Sequence, residues 1–277
     1  MPLKILRQTA TRLAWAMFLL AFTACLPSSG MAGTDGVDSS FVDVQLVIAA
    51  DVSTSMDAEE KFLQAAGFAG AFRDPEIIKA ITGGPAGRIA VTYFEWGGAR
   101  RQRTVVPWMV IDGVTSAWEF AERIERNKPS TLRRGTSIAA ALDHALLLID
   151  GSTLSAGRIV VNLSGDGPDD RALDLDRSRE RLLERGATIN AMAVIYKSPL
   201  DGVVEGGEET MTPADMLAYF RDRVIGGAGA FVEPVWAISD YSDAIRRKLL
   251  REIRDATLSA ELTEAGDETA LIGPIRE

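Results

Sequence analysis

The stretch Val42 to Ala50 is nearly continuous in apolar residues, and it stops at Asp51-Val-Ser-Thr-Ser55. A strand without polar alternation is buried on both faces, as in parallel sheets. Such a strand needs helices above and below it, which commits the chain to an α/β layered fold. The Asp that ends the strand, followed by hydroxyls at the next two alternate positions, delivers three oxygen ligands to the carboxyl edge of the sheet, where open α/β folds bind ligands. Oxygen-only ligand sets suit hard divalent cations. Mg²⁺ takes a near-octahedral shell at about 2.1 Å and keeps several waters, so one carboxylate with two hydroxyls forms a partial, open cage.

Two later segments supply further oxygens. Arg134-Gly135-Thr136-Ser137 precedes a helix with Ile138, Ala141, Leu142, Ala145, Leu146 and Ile149 at helical spacing, which places Thr136 in the loop before it. Arg158 to Leu163 is a β-branched run that stops at Ser164-Gly165-Asp166-Gly167, a strand followed by a tight loop with a carboxylate. All three segments lie on one edge of a parallel sheet.

The rest of the chain alternates strand and helix, which predicts a doubly wound, mostly parallel sheet with helices on both faces. Met56 to Phe72 reads as a helix with Phe62, Ala66, Ala69 and Phe72 on its apolar face, and a second starts at Asp74-Pro75 and runs through Ile81. Arg88 to Trp96 and Arg103 to Val110, joined at Gly97-Gly98-Ala99-Arg100, form a hairpin and hence one antiparallel edge strand. Thr115 to Arg126 is a helix capped by Ser116 or Thr115. Helices are expected over Asp169 to Arg185, Thr212 to Arg223 and Ser239 to Arg254, and strands over Thr188 to Tyr196 and Ala230 to Trp236. Lys197 to Met211 carries no periodicity; it is either a functional loop on the metal edge or a surface insertion.

In Asp51, Ser53, Ser55, Thr136 and Asp166 the chain resembles the von Willebrand factor A domain, whose metal-ion-dependent adhesion site uses a D-x-S-x-S loop, a later Thr and a later Asp. The resemblance runs from about Val42 to about Ile253. It extends to a bacterial family of such domains without assigned function, through Gly135-Thr-Ser-Ile138, Ser164-Gly-Asp-Gly-Pro-Asp169, Val224-Ile-Gly-Gly-Ala-Gly-Ala-Phe231 and Ala244-Ile-Arg-Arg-Lys-Leu-Leu250. The resemblance implies a Mg²⁺ or Mn²⁺ ion held at these five positions, with Asp166 acting through water. Two carboxylates and neutral hydroxyls leave such an ion electrophilic, so it would capture an Asp or Glu side chain of a protein partner. The expected function is therefore metal-dependent adhesion or assembly, without turnover.

At 277 residues, with 47% hydrophobic and 25% charged, the chain has the composition of an ordinary globular protein. Lys4, Arg7 and Arg12 precede the acid-free apolar stretch Leu13 to Ala24, the layout of a secretory signal, with a membrane-anchored amino terminus as the alternative. Residues 1–32 are thus read as a signal, 33–41 as a linker, 42–256 as the domain and 257–277 as a polar acidic tail. Two processing routes stay open: small residues around Gly30-Met31-Ala32, or a lipobox at Phe22-Thr23-Ala24-Cys25 that would lipidate Cys25. The first leaves no cysteine in an exported, periplasmic or secreted protein, and so no disulfide. Net charge is −9, and loss of Lys4, Arg7 and Arg12 makes it −12. That acidity argues against nucleic acid and anionic lipid as partners.

A phosphohydrolase of the haloacid-dehalogenase type with Asp51 as nucleophile is the alternative function. Such enzymes carry a second Asp two residues on, where this chain has Ser53. No G-x-S-x-G, Walker or H-E-x-x-H pattern occurs. His144, the single histidine, lies two turns into the Thr136 helix and is expected on its surface or partly packed. Trp96, Trp108, Trp118 and Trp236 are expected in core or edge packing. Arg133 and Arg134 form a candidate basic rim that would steer an acidic partner to the ion.

Overall fold

The computed structural model describes residues 40–130, 135–170, 173–200, 202 and 210–254, all within one compact unit. The signal, Cys25, Arg133, Arg134, most of the 197–211 loop and the tail lie outside the described residues. Six strands form one sheet: β1 (Phe41–Asp51), β2 (Ile89–Trp96), β3 (Gln102–Ile111), β4 (Ser155–Gly165), β5 (Ala187–Val194) and β6 (Val232–Val235), in the order β3-β2-β1-β4-β5-β6. All neighbours are parallel except the β2–β3 hairpin at one edge. This is the doubly wound α/β fold with one antiparallel edge strand.

β1 sits near the middle and is buried from Val42 to Asp51 because helices cover both faces. Its residues alternate between two cores, as the twofold period of a strand demands. Val44, Leu46, Ile48 and Ala50 join Phe68 of α1 (Ala58–Ala71) and Phe72 at its C-cap, Ile77 and Ile81 of α2 (Pro75–Thr82), Phe120 of α3 (Val114–Arg126), and Ile245 and Leu249 of α7 (241–254). Val47 and Ala49 join Leu142 and Ala145 of α4 (Ile138–Asp150), Leu182 of α5 (Leu175–Glu184) and Met216 of α6 (Pro213–Tyr219). Among the described residues no helix is long and apolar enough to cross a membrane.

Local chemistry sets several boundaries. Asp57 and Glu60 form a reciprocal capping box that starts α1 two residues after the expected Met56. Phe62 is 63% exposed and Ala66 only partly buried, so of the expected apolar face Ala69 and Phe72 hold, joined by Ala65 and Phe68. α3 begins at Val114 after Gly113, and neither Thr115 nor Ser116 caps it, because the Ser116 hydroxyl bonds Asp112 Oδ1 (2.8 Å). α5 starts only at Leu175, where Asp174 accepts from the Arg177 N–H, instead of at Asp169. The helix after Pro213 ends in a π-helical turn, Phe220–Val224. Trp96 is fully buried and the Trp108 indole donates to Leu148 O (2.9 Å), whereas Trp118 and Trp236 are 49% and 59% exposed and pack in no core.

Candidate metal centre

The sheet order reverses at β1: the next strand, β2, lies on one side and β4 on the other. The carboxyl ends of β1 and β4 therefore flank the switch point, the crevice where open α/β sheets bind ligands. Asp51 is the last residue of β1, and Asp166 directly follows β4.

The backbone of Asp51 is clamped from both sides. Its N–H donates to Ser164 Oγ (3.0 Å), and its carbonyl accepts from Gln64 Nε2 (2.9 Å). Gln64 Oε1 in turn accepts from Ser164 Oγ (2.6 Å), which joins α1, β1 and β4 in one buried ring. The side chain leaves this ring fully buried. Asp51 Oδ1 accepts from the Ser53 N–H (2.7 Å), while Oδ2 is buried without a hydrogen-bond partner. The Ser53 and Ser55 hydroxyls lie 3.0 Å apart, and Ser55 Oγ donates to Asp166 Oδ1 (2.6 Å). Four of the five expected residues thus form a single hydrogen-bonded chain, buried at Asp51 and Ser53 and open to solvent at Ser55.

Thr136 reaches the same edge through its backbone. Its N–H donates to Asp170 Oδ2 (3.2 Å), and its carbonyl accepts from the Asp170 N–H (2.8 Å). Gly135 before it has φ +82°, and a Cβ there would stand 2.6 Å from Asp170 Oδ2, so the turn requires glycine twice over. Ser137 caps α4 (3.4 Å to the Ala140 N–H), and Asp169 Oδ1 accepts from the Ala139 N–H (3.0 Å). The loops after β4 and before α4 are thereby tied together.

Burial, reinforced by the charge of Asp166, pushes the Asp51 carboxyl up to about 8, against the opposing bonds from Ser53. An unpaired buried carboxylate oxygen is costly, and a divalent ion is the partner that would reverse the cost. The donors present are carboxylate and hydroxyl oxygens, the set that Mg²⁺ and Mn²⁺ prefer. Among the described residues no three Asp, Glu, His or Cys side chains converge to hold a metal on their own, so an ion here depends on the hydroxyls.

Two site residues escape a reading of the sequence. Glu60, only 1% exposed, accepts from the Asp57 N–H (2.8 Å) and from the Tyr196 hydroxyl, and pairs with Lys197 Nζ (2.6 Å). Lys197 also donates to the Ser55 carbonyl (2.6 Å) and to Asp166 Oδ2 (3.1 Å). Glu60 was legible as the acidic half of a capping box, and Lys197 as the residue directly after the fifth strand, but neither pattern announces their meeting. Burial opposes the lysine's charge, yet its bonds to Glu60 and Asp166 outweigh this and hold its pKa above the ordinary lysine value. A cleft of about 550 Å³ opens against Ser55, Asp166, Lys197, Met211 and Met216. His144 lies apart from it, half-buried against Phe94 (ring centroids 4.7 Å) and 3.2 Å from Thr104 Oγ1.

This strand order, with a hydroxyl-rich loop after β1 at the switch point, is the fold of a von Willebrand factor A domain. A von Willebrand factor type A protein from Catenulispora acidiphila superposes with a TM-score of 0.50 at 18% identity, over 76% of this chain and 43% of that one. The pilus adhesin SpaC from Lactobacillus rhamnosus GG superposes with a TM-score of 0.53 at 10% identity, over 78% of this chain and 31% of that one. The chain spans less than half the length of either structure. The chain belongs to the family described as "Protein of unknown function (DUF1194)", whose model matches residues 41–257. No curated protein matches it in sequence.

Proposed function

We propose that the chain is an exported protein-binding module in which a Mg²⁺ or Mn²⁺ ion, held by Asp51, Ser53, Ser55 and Thr136 with Asp166 supporting through water, captures an Asp or Glu side chain of a protein partner. The observation that carries this is the partnerless, buried Asp51 Oδ2 in a chain of hydroxyls that ends on Asp166. Ser53 and Asp166 hold the hydroxyl loop in place before any ion arrives, and Ser55, the solvent-open member, faces the direction of approach. The ion supplies the Lewis acidity that fixes the partner's carboxylate. Arg133 and Arg134 are proposed as a steering rim.

The same fold in a pilus adhesin supports a binding role, and the amino-terminal charge and apolar pattern supports export, free or anchored through Cys25. Ser53 disfavours a phosphohydrolase with Asp51 as nucleophile, because it stands where such an enzyme carries the second Asp that serves as general acid. Calorimetric titration of Mg²⁺ and Mn²⁺, with Asp51→Ala as control, tests the reading. Saturable binding to the native protein and none to the variant is expected. Equal binding by both proteins would sink it.

A further inference from the structure

Lys197 belongs to no expected ligand set, yet its ammonium sits inside the site. It has three donors, and three acceptors meet them: Ser55 O at 2.6 Å, Glu60 Oε2 at 2.6 Å and Asp166 Oδ2 at 3.1 Å. Two of these acceptors belong to the proposed cation-binding loops. Asp166 divides its carboxylate between them, Oδ1 to the Ser55 hydroxyl and Oδ2 to Lys197. The lysine is the one flexible partner in this set; its side chain is 28% exposed, while those of Glu60 and Asp166 are 1% and 0% exposed.

The charges are unusual for a site that must hold a divalent ion. The Lys197 ammonium pairs with both Glu60 and Asp166, so it offsets one of the negative charges that would otherwise attract an ion to this edge. A fixed positive charge one salt-bridge length from a cage carboxylate repels an incoming cation, and in a partly buried site this repulsion is weakly screened. Glu60 secures the lysine: it is itself held by the Asp57 N–H and the Tyr196 hydroxyl, so the ammonium has a rigid seat.

Building on the metal-capture reading, we propose that Lys197 is a built-in competitor of the divalent ion. It keeps the site's own affinity for the ion low, so the ion is held firmly only when a partner's carboxylate adds the missing negative charge. Ion and partner then bind interdependently, each raising the affinity of the other by the same factor. A brace that merely positioned Asp166 would do the opposite, since its removal would loosen the cage and weaken the ion.

The experiment is calorimetric titration of Mn²⁺ and Mg²⁺ into the purified native protein and into Lys197→Met, Lys197→Gln and Lys197→Arg, with circular dichroism and thermal melting in EDTA as the check of folding. The neutral variants are expected to bind Mn²⁺ about tenfold or more tightly than the native protein, while Lys197→Arg, which keeps the charge, retains the weak binding. If Lys197→Met does not fold, Lys197→Gln, which keeps a hydrogen-bonding head, carries the test. Unchanged or weaker binding by a folded neutral variant overturns the competitor and leaves metal capture standing. Saturable binding by the native protein that tightens in the neutral variants supports both. No binding by any of the four proteins overturns both.

Discussion

Two buried polar clusters, each built on a lysine and one or more carboxylates, stand on this sheet, and they differ in whether the central carboxylate is fully paired. Along the inside of α7, Lys248 (1% exposed) donates to Glu252 Oε1, and Asn162 of β4 and Asn190 of β5 donate to the two oxygens of the same carboxylate (2.7 and 3.1 Å). The Phe231 N–H completes Asn190 (3.1 Å), and the Lys248 ammonium lies 5.7 Å from the centre of the Phe231 ring. Both Glu252 oxygens are satisfied from within the chain, and the atom left without a hydrogen bond in this cluster is the neutral amide oxygen Oδ1 of Asn162. At the carboxyl edge of the sheet, Asp51 Oδ2 has no partner, and Ser55 is exposed to solvent. A closed cluster fixes the seat of a helix, whereas a cluster one partner short fits a ligand from outside.

Breaking the closed cluster should produce the largest effect. Lys248→Met keeps the volume but strands the Glu252 charge, and loss of one member of a buried ion pair costs about 3–5 kcal/mol. Urea denaturation would show the loss as a fall in the midpoint, and a change below ~1 kcal/mol would mean that the cluster is less closed than its geometry. The open cluster should respond with the opposite sign. Asp51→Asn spares the folded protein the cost of holding a buried carboxyl protonated well above its ordinary pKa and is expected to stabilise it in EDTA by roughly 1–3 kcal/mol, while erasing the upward shift in melting temperature expected of the native protein with Mn²⁺. Destabilisation in EDTA would show that Asp51 is closed by its own neighbours, and the contrast between the two regions would collapse.

A half-buried polar group, His144, sharpens the contrast by avoiding charge. Burial holds the His144 pKa below the ordinary histidine value. The unfolded chain therefore binds a proton near pH 6.5 that the folded chain refuses. The stability this gives is present above about pH 6.5 and is lost as pH falls through that value. The effect is the smallest of the three, about 1 kcal/mol or less for a half-buried group. An NMR titration of the single imidazole should give a midpoint below 6.5, and a midpoint above it would contradict the packing against Phe94.

The meeting of four candidate residues at one sheet edge was more legible than the helix boundaries around it. Asp51, Ser53, Ser55 and Asp166 stand out because strand ends carry strong punctuation, and the parallel sheet then puts β1 and β4 side by side. The α5 start was misplaced by six residues because Asp169 and Asp170, whose sequence is compatible with a helix, bond instead to the backbone before and at the start of α4. Phe62 and Trp236 were assigned to packing, since hydrophobicity marks what can be buried and leaves open whether a partner surface faces it. Glu60 and Lys197 were missed for a different reason. They are 137 residues apart, and only the tertiary fold brings the first turn of α1 to the segment after β5, where Tyr196 and Lys197 meet Glu60.

What the chain determined by itself is local: a strand buried on both faces, a carboxylate with two hydroxyls at its end, a glycine before Thr136, and the alternation that commits the sheet to a doubly wound order. These follow from backbone sterics and from the period of apolar residues, which act over a few neighbours. Only the tertiary structure decided which carboxylate oxygen is left without a partner, which lysine enters the site, and which glutamate is closed by two asparagines. Each depends on desolvation and on distances across the sheet, and those exist only once remote segments have excluded water from the space between them.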